Sequence, residues 1–206
     1  MTNLQQTFTR LAERYSNDST LVTALWEEIE TAYSAKGRFY HNLSHLENLV
    51  FQLTEVSTQT EDWDTLLFSL FYHDIVYSAT AHDNEEKSAE LAAGRLKALG
   101  FPEERTAKCV TQILATKGHS VSEDTDTNLF TDADLSILGM EWPVYAAYFA
   151  HVRQEYAVYP DLLYNPGRRK VLKHFLSMER IFKTPNFFER LEQQARRNLQ
   201  EELKLL

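Results

Sequence analysis

Apolar residues recur along most of this chain at the three-to-four-residue spacing of amphipathic helices, and no stretch keeps the strict alternation of a half-buried strand. A first helix is predicted over about 3–15, followed by a turn at Ser16-Asn17-Asp18. A second, over about 20–35, sets Leu21, Leu25, Ile29 and Tyr33 at helical spacing and stops at Gly37. The third starts near Asn42 or Ser44: Ser44-His45-Leu46-Glu47 has the form of a capping box, and Leu46, Leu49, Val50 and Leu53 make its apolar stripe. The fourth, over about 62–76, carries Trp63, Leu66, Leu67, Leu70 and Phe71.

Further on, a polar loop over 78–83 leads to a helix over about 84–99, closed by Gly100 with Pro102 just beyond. Another helix covers about 103–116, and a polar loop runs over 117–127. A short helix over about 128–138 ends at Gly139. Helices over about 142–158, 167–182 and 186–204 complete the chain, with Thr184 and Pro185 as N-cap and first residue of the last. No repeat, low-complexity segment or linker interrupts the pattern. The expectation is one all-α domain over 1–206.

Composition agrees. Hydrophobic residues are 43% and charged residues 25% of 206, enough for a sizeable core under a solvated surface, and only 6 Gly and 5 Pro argue against a loop-rich sandwich. The net charge of -9 speaks against a nucleic-acid or anionic-membrane partner. An anionic small substrate stays open, because a metal ion reverses the local potential. The lone Cys109 excludes an internal disulfide and, on an amphipathic helix, reads as a buried structural thiol. The first residues lack a basic segment followed by an apolar run, and no stretch approaches the ~18 apolar residues of a spanning helix. A soluble, cytoplasmic protein is expected.

The candidate chemistry lies with a few of the seven histidines. His41 and His45 stand four residues apart around a helix start, and His73-Asp74 closes an otherwise apolar helix. On a helical wheel Asp74 falls within the stripe of Trp63, Leu67, Leu70 and Phe71, where a carboxylate is costly unless paired or bound to a metal. Asp134 likewise falls between Phe130 and Leu138, whereas Asp132 points off that face and reads as solvated or supporting. His45, His73, Asp74 and Asp134 are therefore the candidate metal ligands. Imidazoles with carboxylates suit a divalent transition metal, Mn, Fe, Co, Ni or Zn.

The order His45, His73-Asp74, Asp134 resembles the H…HD…D signature of the HD-domain superfamily of metal-dependent phosphohydrolases, and the whole chain is similar to a bacterial group of predicted HD-domain phosphohydrolases. The resemblance covers roughly 37–139 and implies an HD-domain-like helical bundle, on which the helices over 142–206 would pack. Tyr40-His41-Asn42-x-x-His45 is similar to a cyclic-nucleotide phosphodiesterase motif, which implies metal binding by His45 and proton donation by His41. That motif continues H-D-x-x-H, but Tyr77 stands at the last position here. One tight ion is therefore expected, with at most a weak second such as Mg.

Around these residues, Glu85 is a candidate for orienting water or a second ion, with dipole complementation at a helix start as the equal reading. Arg38, Lys117, Arg153 and Arg168 are candidate contacts to a substrate phosphate or else surface salt-bridge partners, and His119 is a candidate phosphate contact or ligand to a second ion. The expected activity is hydrolysis of a phosphoester in a nucleotide or other small phosphorylated metabolite. Three alternatives stay open: a guanosine-tetraphosphate-type pyrophosphohydrolase, a di-iron oxygenase on a similar cradle, and a non-catalytic metal- or nucleotide-binding sensor.

Overall fold

The computed structural model describes residues 3–206. Among them are ten α-helices, two 3₁₀ turns and no strand. None of these helices is long and apolar enough to cross a membrane. The chain divides into two compact units, the first reaching Thr131 and the second running from Asp132 to Leu206.

In the first unit, α1 (Asn3–Ala12), α2 (Ser19–Tyr33), α3 (Leu43–Thr54), α5 (Asn84–Leu99) and α6 (Glu103–Ala115) each bury one face, while α4 (Trp63–Tyr72) is buried nearly all round. Every residue from Thr65 to Tyr72 is buried, as the near-continuous apolar run requires. Phe8, Trp26, Phe68 and Phe71 pack edge-on or tilted at the centre of this core. The start of α4 is fixed by Asp62, whose carboxylate accepts from Thr65 N and is gripped by the Arg105 guanidinium. Burial raises the Asp62 carboxyl, yet the Arg105 and Thr65 hydrogen bonds outweigh it and hold the group at about 2. The loop before α4 is tied by buried Asp126, which accepts from the backbone of Glu61 and Asp62 and from the Lys108 ammonium.

Several predicted ends move. Of the two expected starts, Asn42 and not Ser44 caps α3: its side-chain oxygen accepts from Ser44 N at 2.9 Å and His45 N at 3.4 Å, which starts the helix two residues before a Ser44 cap would. The helix α7 (Thr125–Asp134) begins inside the predicted loop because Asp124 accepts from both the backbone and the hydroxyl of Thr127. A 3₁₀ turn, Leu135–Gly139, then reaches the predicted stop.

The second unit holds α8 (Trp142–Glu155), α9 (Asp161–Ser177) and α10 (Pro185–Leu205). α9 starts six residues and ends five residues earlier than expected, carrying Pro166 inside it. The carbonyl that Pro166 leaves without a helical donor belongs to exposed Leu162. Gly139 passes so close to α10 that a Cβ there would stand 2.5 Å from Leu191 Cβ. Asn198 secures the same turn by donating to the carbonyls of Leu138 and Met140. Arg168 makes a paired contact to Glu202, which also accepts from the Tyr145 hydroxyl, all buried. That arginine is committed to structure.

Candidate metal centre

His45 sits in the first turn of α3, at a depth set by the Asn42 cap, and is 4% exposed. His73 is the C-cap of α4 and is 1% exposed; Asp74 follows it, with a side chain 16% exposed. The backbone of Asp74 donates to the Tyr33 hydroxyl at 3.1 Å. The predicted apolar helix therefore stops just short of its two polar residues, which emerge at its buried end.

Their ligand atoms converge. His45 Nε2 and His73 Nε2 are 3.1 Å apart, and Asp74 Oδ2 lies 3.1 Å from His73 Nε2 and 3.9 Å from His45 Nε2. His45, His73 and Asp74 form a group able to hold a metal ion, with every ligand atom within 4.8 Å of the others. Nitrogen ligands about 2.1 Å from one ion stand roughly 3–3.4 Å apart, which matches the two imidazoles.

The tautomer of His73 sharpens this fit. Its Nδ1 is 2.8 Å from the Leu70 carbonyl, which can only accept, so the Nδ1–H donates. The Nε2 of a neutral His73 then presents a lone pair toward both His45 Nε2 and the Asp74 carboxylate. A proton on that nitrogen serves one neighbour, whereas a cation serves all three. A backbone carbonyl on the far ring nitrogen is also the usual second partner of a metal-binding histidine.

His41 borders this group. Its Nε2 is 3.9 Å from the same Asp74 Oδ2, its side chain is 21% exposed, and its ring stacks on Tyr77 with centroids 4.3 Å apart. The Tyr40 ring approaches both His41 and His45 at 4.9 Å. Three imidazole nitrogens thus face one carboxylate oxygen.

The other candidates have protein partners of their own. Arg38 donates to the carbonyls of His41, Asp74 and Ile75, at 3.1, 2.7 and 2.8 Å. Lys117 donates to the His82 carbonyl and the Glu86 carboxylate, and lies 4.0 Å from Glu85 in the first turn of α5. His119 stands in the loop after α6 with φ of 49°, a left-handed backbone that is uncommon outside glycine. Arg153 is bound to Asp161 and to the carbonyls of Tyr156 and Tyr159. The converging group contains neither Glu85 nor His119.

In the second unit, Asp134 ends α7 and is half-buried. Asp132 corrects an expectation, being wholly buried and not solvated. Its carboxylate accepts from the backbone of Lys183 and Thr184, from the Thr184 hydroxyl and from the Lys183 ammonium. Thr184 consequently turns its hydroxyl to Asp132 and makes no side-chain cap on α10. Burial pushes the Lys183 ammonium down despite the pull of Asp132. Cys109 is buried as expected, and desolvation pushes its thiol up to about 12, too high for a nucleophile near neutrality.

Sequence reasoning missed Arg38 and Tyr33 as supports of the site, because nothing in an isolated arginine or tyrosine signals a carbonyl 36 or an amide 41 residues away. Asn42, one of the two starts expected for α3, is its N-cap. Comparison of the chain with family models, with curated proteins and with solved structures finds no match.

Proposed function

We propose that the chain is a metal-dependent phosphohydrolase of the HD-domain type, acting on a phosphoester in a nucleotide or other small phosphorylated metabolite. The observation that supports it is the convergence of His45, His73 and Asp74, with His73 Nε2 at 3.1 Å from both His45 Nε2 and the Asp74 carboxylate. His45, His73 and Asp74 would hold a divalent transition ion. Asp134 joins them in the proposal on the sequence pattern alone. Such an ion, when bound, supplies Lewis acidity for a phosphoryl oxygen and acidifies water.

The remaining work falls to the protein's own groups. Arg38 holds the backbone of His41 and Asp74 in place through their carbonyls. His41, beside the ligands without belonging to the converging group, protonates the oxygen that leaves as the P–O bond breaks. The proton lost by the attacking water passes to a carboxylate, with Asp74 at the site and Glu85 as the sequence candidate.

The test is a phosphatase and phosphodiesterase screen on protein loaded separately with Mn, Co, Ni, Zn and Mg, beside measurement of bound metal. About one equivalent of transition metal and metal-dependent release of phosphate or alcohol are expected. Absence of metal uptake on titration removes the proposal. Uptake without turnover on any ester transfers the protein to the sensor reading, and pyrophosphate as product transfers it to the guanosine-tetraphosphate type.

A further inference from the structure

His41 lies in the irregular segment between α2 and α3, so no helix fixes the direction of its ring. A proton donor gains from fixed placement: a misplacement of about 1 Å can cost about a hundredfold in rate. The neighbouring ring that lies nearly flat against it is Tyr77, with an interplanar angle of 29° at 4.3 Å. Tyr40 meets the imidazole edge-on, at 78°.

Tyr77 is itself backed. The Arg38 guanidinium stands 5.4 Å from the Tyr77 ring centre and 4.9 Å from that of buried Tyr33. The same guanidinium donates to the carbonyls of His41, Asp74 and Ile75, so it joins the segment that carries His41 to the one that leads into Tyr77. The two ends of the stack are therefore fastened to one side chain. Arg38, expected from the sequence to contact substrate, is in place for a different task.

We propose that Tyr77 is a positioning residue whose ring holds the His41 imidazole against the Asp74 edge of the site, with Arg38 as the brace behind it. The inference rests on the reading of His41 as proton donor and assigns how that donor is kept in place. It needs the ring of Tyr77 rather than its hydroxyl, because the contact is face to face.

The experiment compares Tyr77→Leu and Tyr77→Phe with the unaltered protein, using an alkyl phosphoester and a p-nitrophenyl ester. Bound metal and KM should stay as they were in both variants. For Tyr77→Leu, kcat should fall about 10–100-fold on the alkyl ester, whose leaving oxygen needs the proton, and no more than about threefold on the p-nitrophenyl ester. Tyr77→Phe should restore most of the lost rate. Proton NMR of the metal-free protein supplies a readout apart from turnover. The ring-current displacement of the His41 carbon-bound protons should vanish in the leucine variant and persist in the phenylalanine variant.

Equal losses on both esters, no loss on either, or a phenylalanine variant as impaired as the leucine one would overturn the inference. Loss of metal in Tyr77→Leu would overturn it too, by making Tyr77 a support of the ligands instead. Tyr77→Met, which fills the volume without an aromatic face, replaces the leucine variant if that one does not fold. Failure of the functional reading looks different, since the unaltered protein then hydrolyses neither ester with any metal. In that event the NMR displacement decides the stack, and its persistence in Tyr77→Leu refutes the placement.

Discussion

Replacing Asp74 by asparagine separates a metal centre from a buried ion pair by the sign of its effect. If the group is built for a cation, the metal-free protein holds a carboxylate oxygen 3.1 Å from a lone pair on His73 Nε2, because the Leu70 carbonyl takes the Nδ1 proton. The side-chain amide of the variant can donate where the carboxylate cannot, adding one hydrogen bond worth about 0.5–1.5 kcal/mol. At about 2–4 °C per kcal/mol for a chain of this size, the metal-free Asp74→Asn protein should melt about 1–6 °C higher. With metal the order reverses. A ligand at 100 times its Kd stabilises by about 2.7 kcal/mol, or roughly 5–11 °C, and the variant should lose nearly all of that shift. The assay is thermal unfolding at pH 8, where an ordinary imidazole is neutral, in chelator and then in excess Mn or Zn. If the pair were a protonated His73 bound to Asp74, the substitution would break a buried ion pair and lower the metal-free melting temperature by several degrees. That outcome, with an undiminished metal shift, refutes the reasoning.

Asp132→Asn should cost about 2–4 kcal/mol in urea unfolding, since it removes the charge that Lys183 and Thr184 surround, while metal content is retained; loss of metal with unchanged stability would contradict this. Arg105→Met tests the start of α4. The Asp62 carboxyl lies at about 2, below its ordinary value, so its contribution is present above about pH 4 and lost as pH falls toward 2. Discounted for partial exposure, that contribution is about 1 kcal/mol, and the stability gap between the unaltered and variant proteins should narrow by that amount between pH 5 and 2.5. Gly139→Ala should destabilise by about 1–3 kcal/mol, because the added methyl meets the Leu191 backbone at 2.8 Å as well as its side chain. Titration with Mn should show one tight ion and at most one weak one, and two equally tight ions would overturn the expectation drawn from Tyr77 standing where the similar motif has a histidine.

The fold was legible wherever an apolar period met a conventional stop. The helix α5 was expected over 84–99 and runs Asn84–Leu99, closed by Gly100 in a left-handed conformation that glycine adopts without strain. α4 was equally plain, because a segment so uniformly apolar has only a buried position open to it. The differences fall where a side chain takes an unexpected partner. Asp124 opens α7 three residues before its expected start, and Thr184, the N-cap of α10 as expected, gives its hydroxyl to Asp132, 52 residues away, and not to the helix. Local spacing ranks such residues by the helix they stand on, not by the partner they meet.

That distinction also explains why the wheel argument read Asp74 as needing a partner and Asp132 as solvated or supporting, of which the solvated reading fails. Both arguments held that a carboxylate among apolar neighbours needs a partner, and that one facing away from them meets water. The first half is a statement about energy and survives: Asp74 is met by three imidazole nitrogens within 3.9 Å. The second half assumes that a helix has one buried face. α7 is buried on more than one side, and Asp132 meets the backbone of Lys183 and Thr184 rather than solvent. A buried carboxylate is therefore no mark of chemistry by itself. Asp132 is met by donors, which satisfy it and leave nothing for an ion, while Asp74 faces His73 Nε2, whose proton the Leu70 carbonyl keeps on the far side of the ring. The character of the facing atoms, amide, hydroxyl and ammonium donors at Asp132 and imidazole nitrogens at Asp74, separates the two carboxylates.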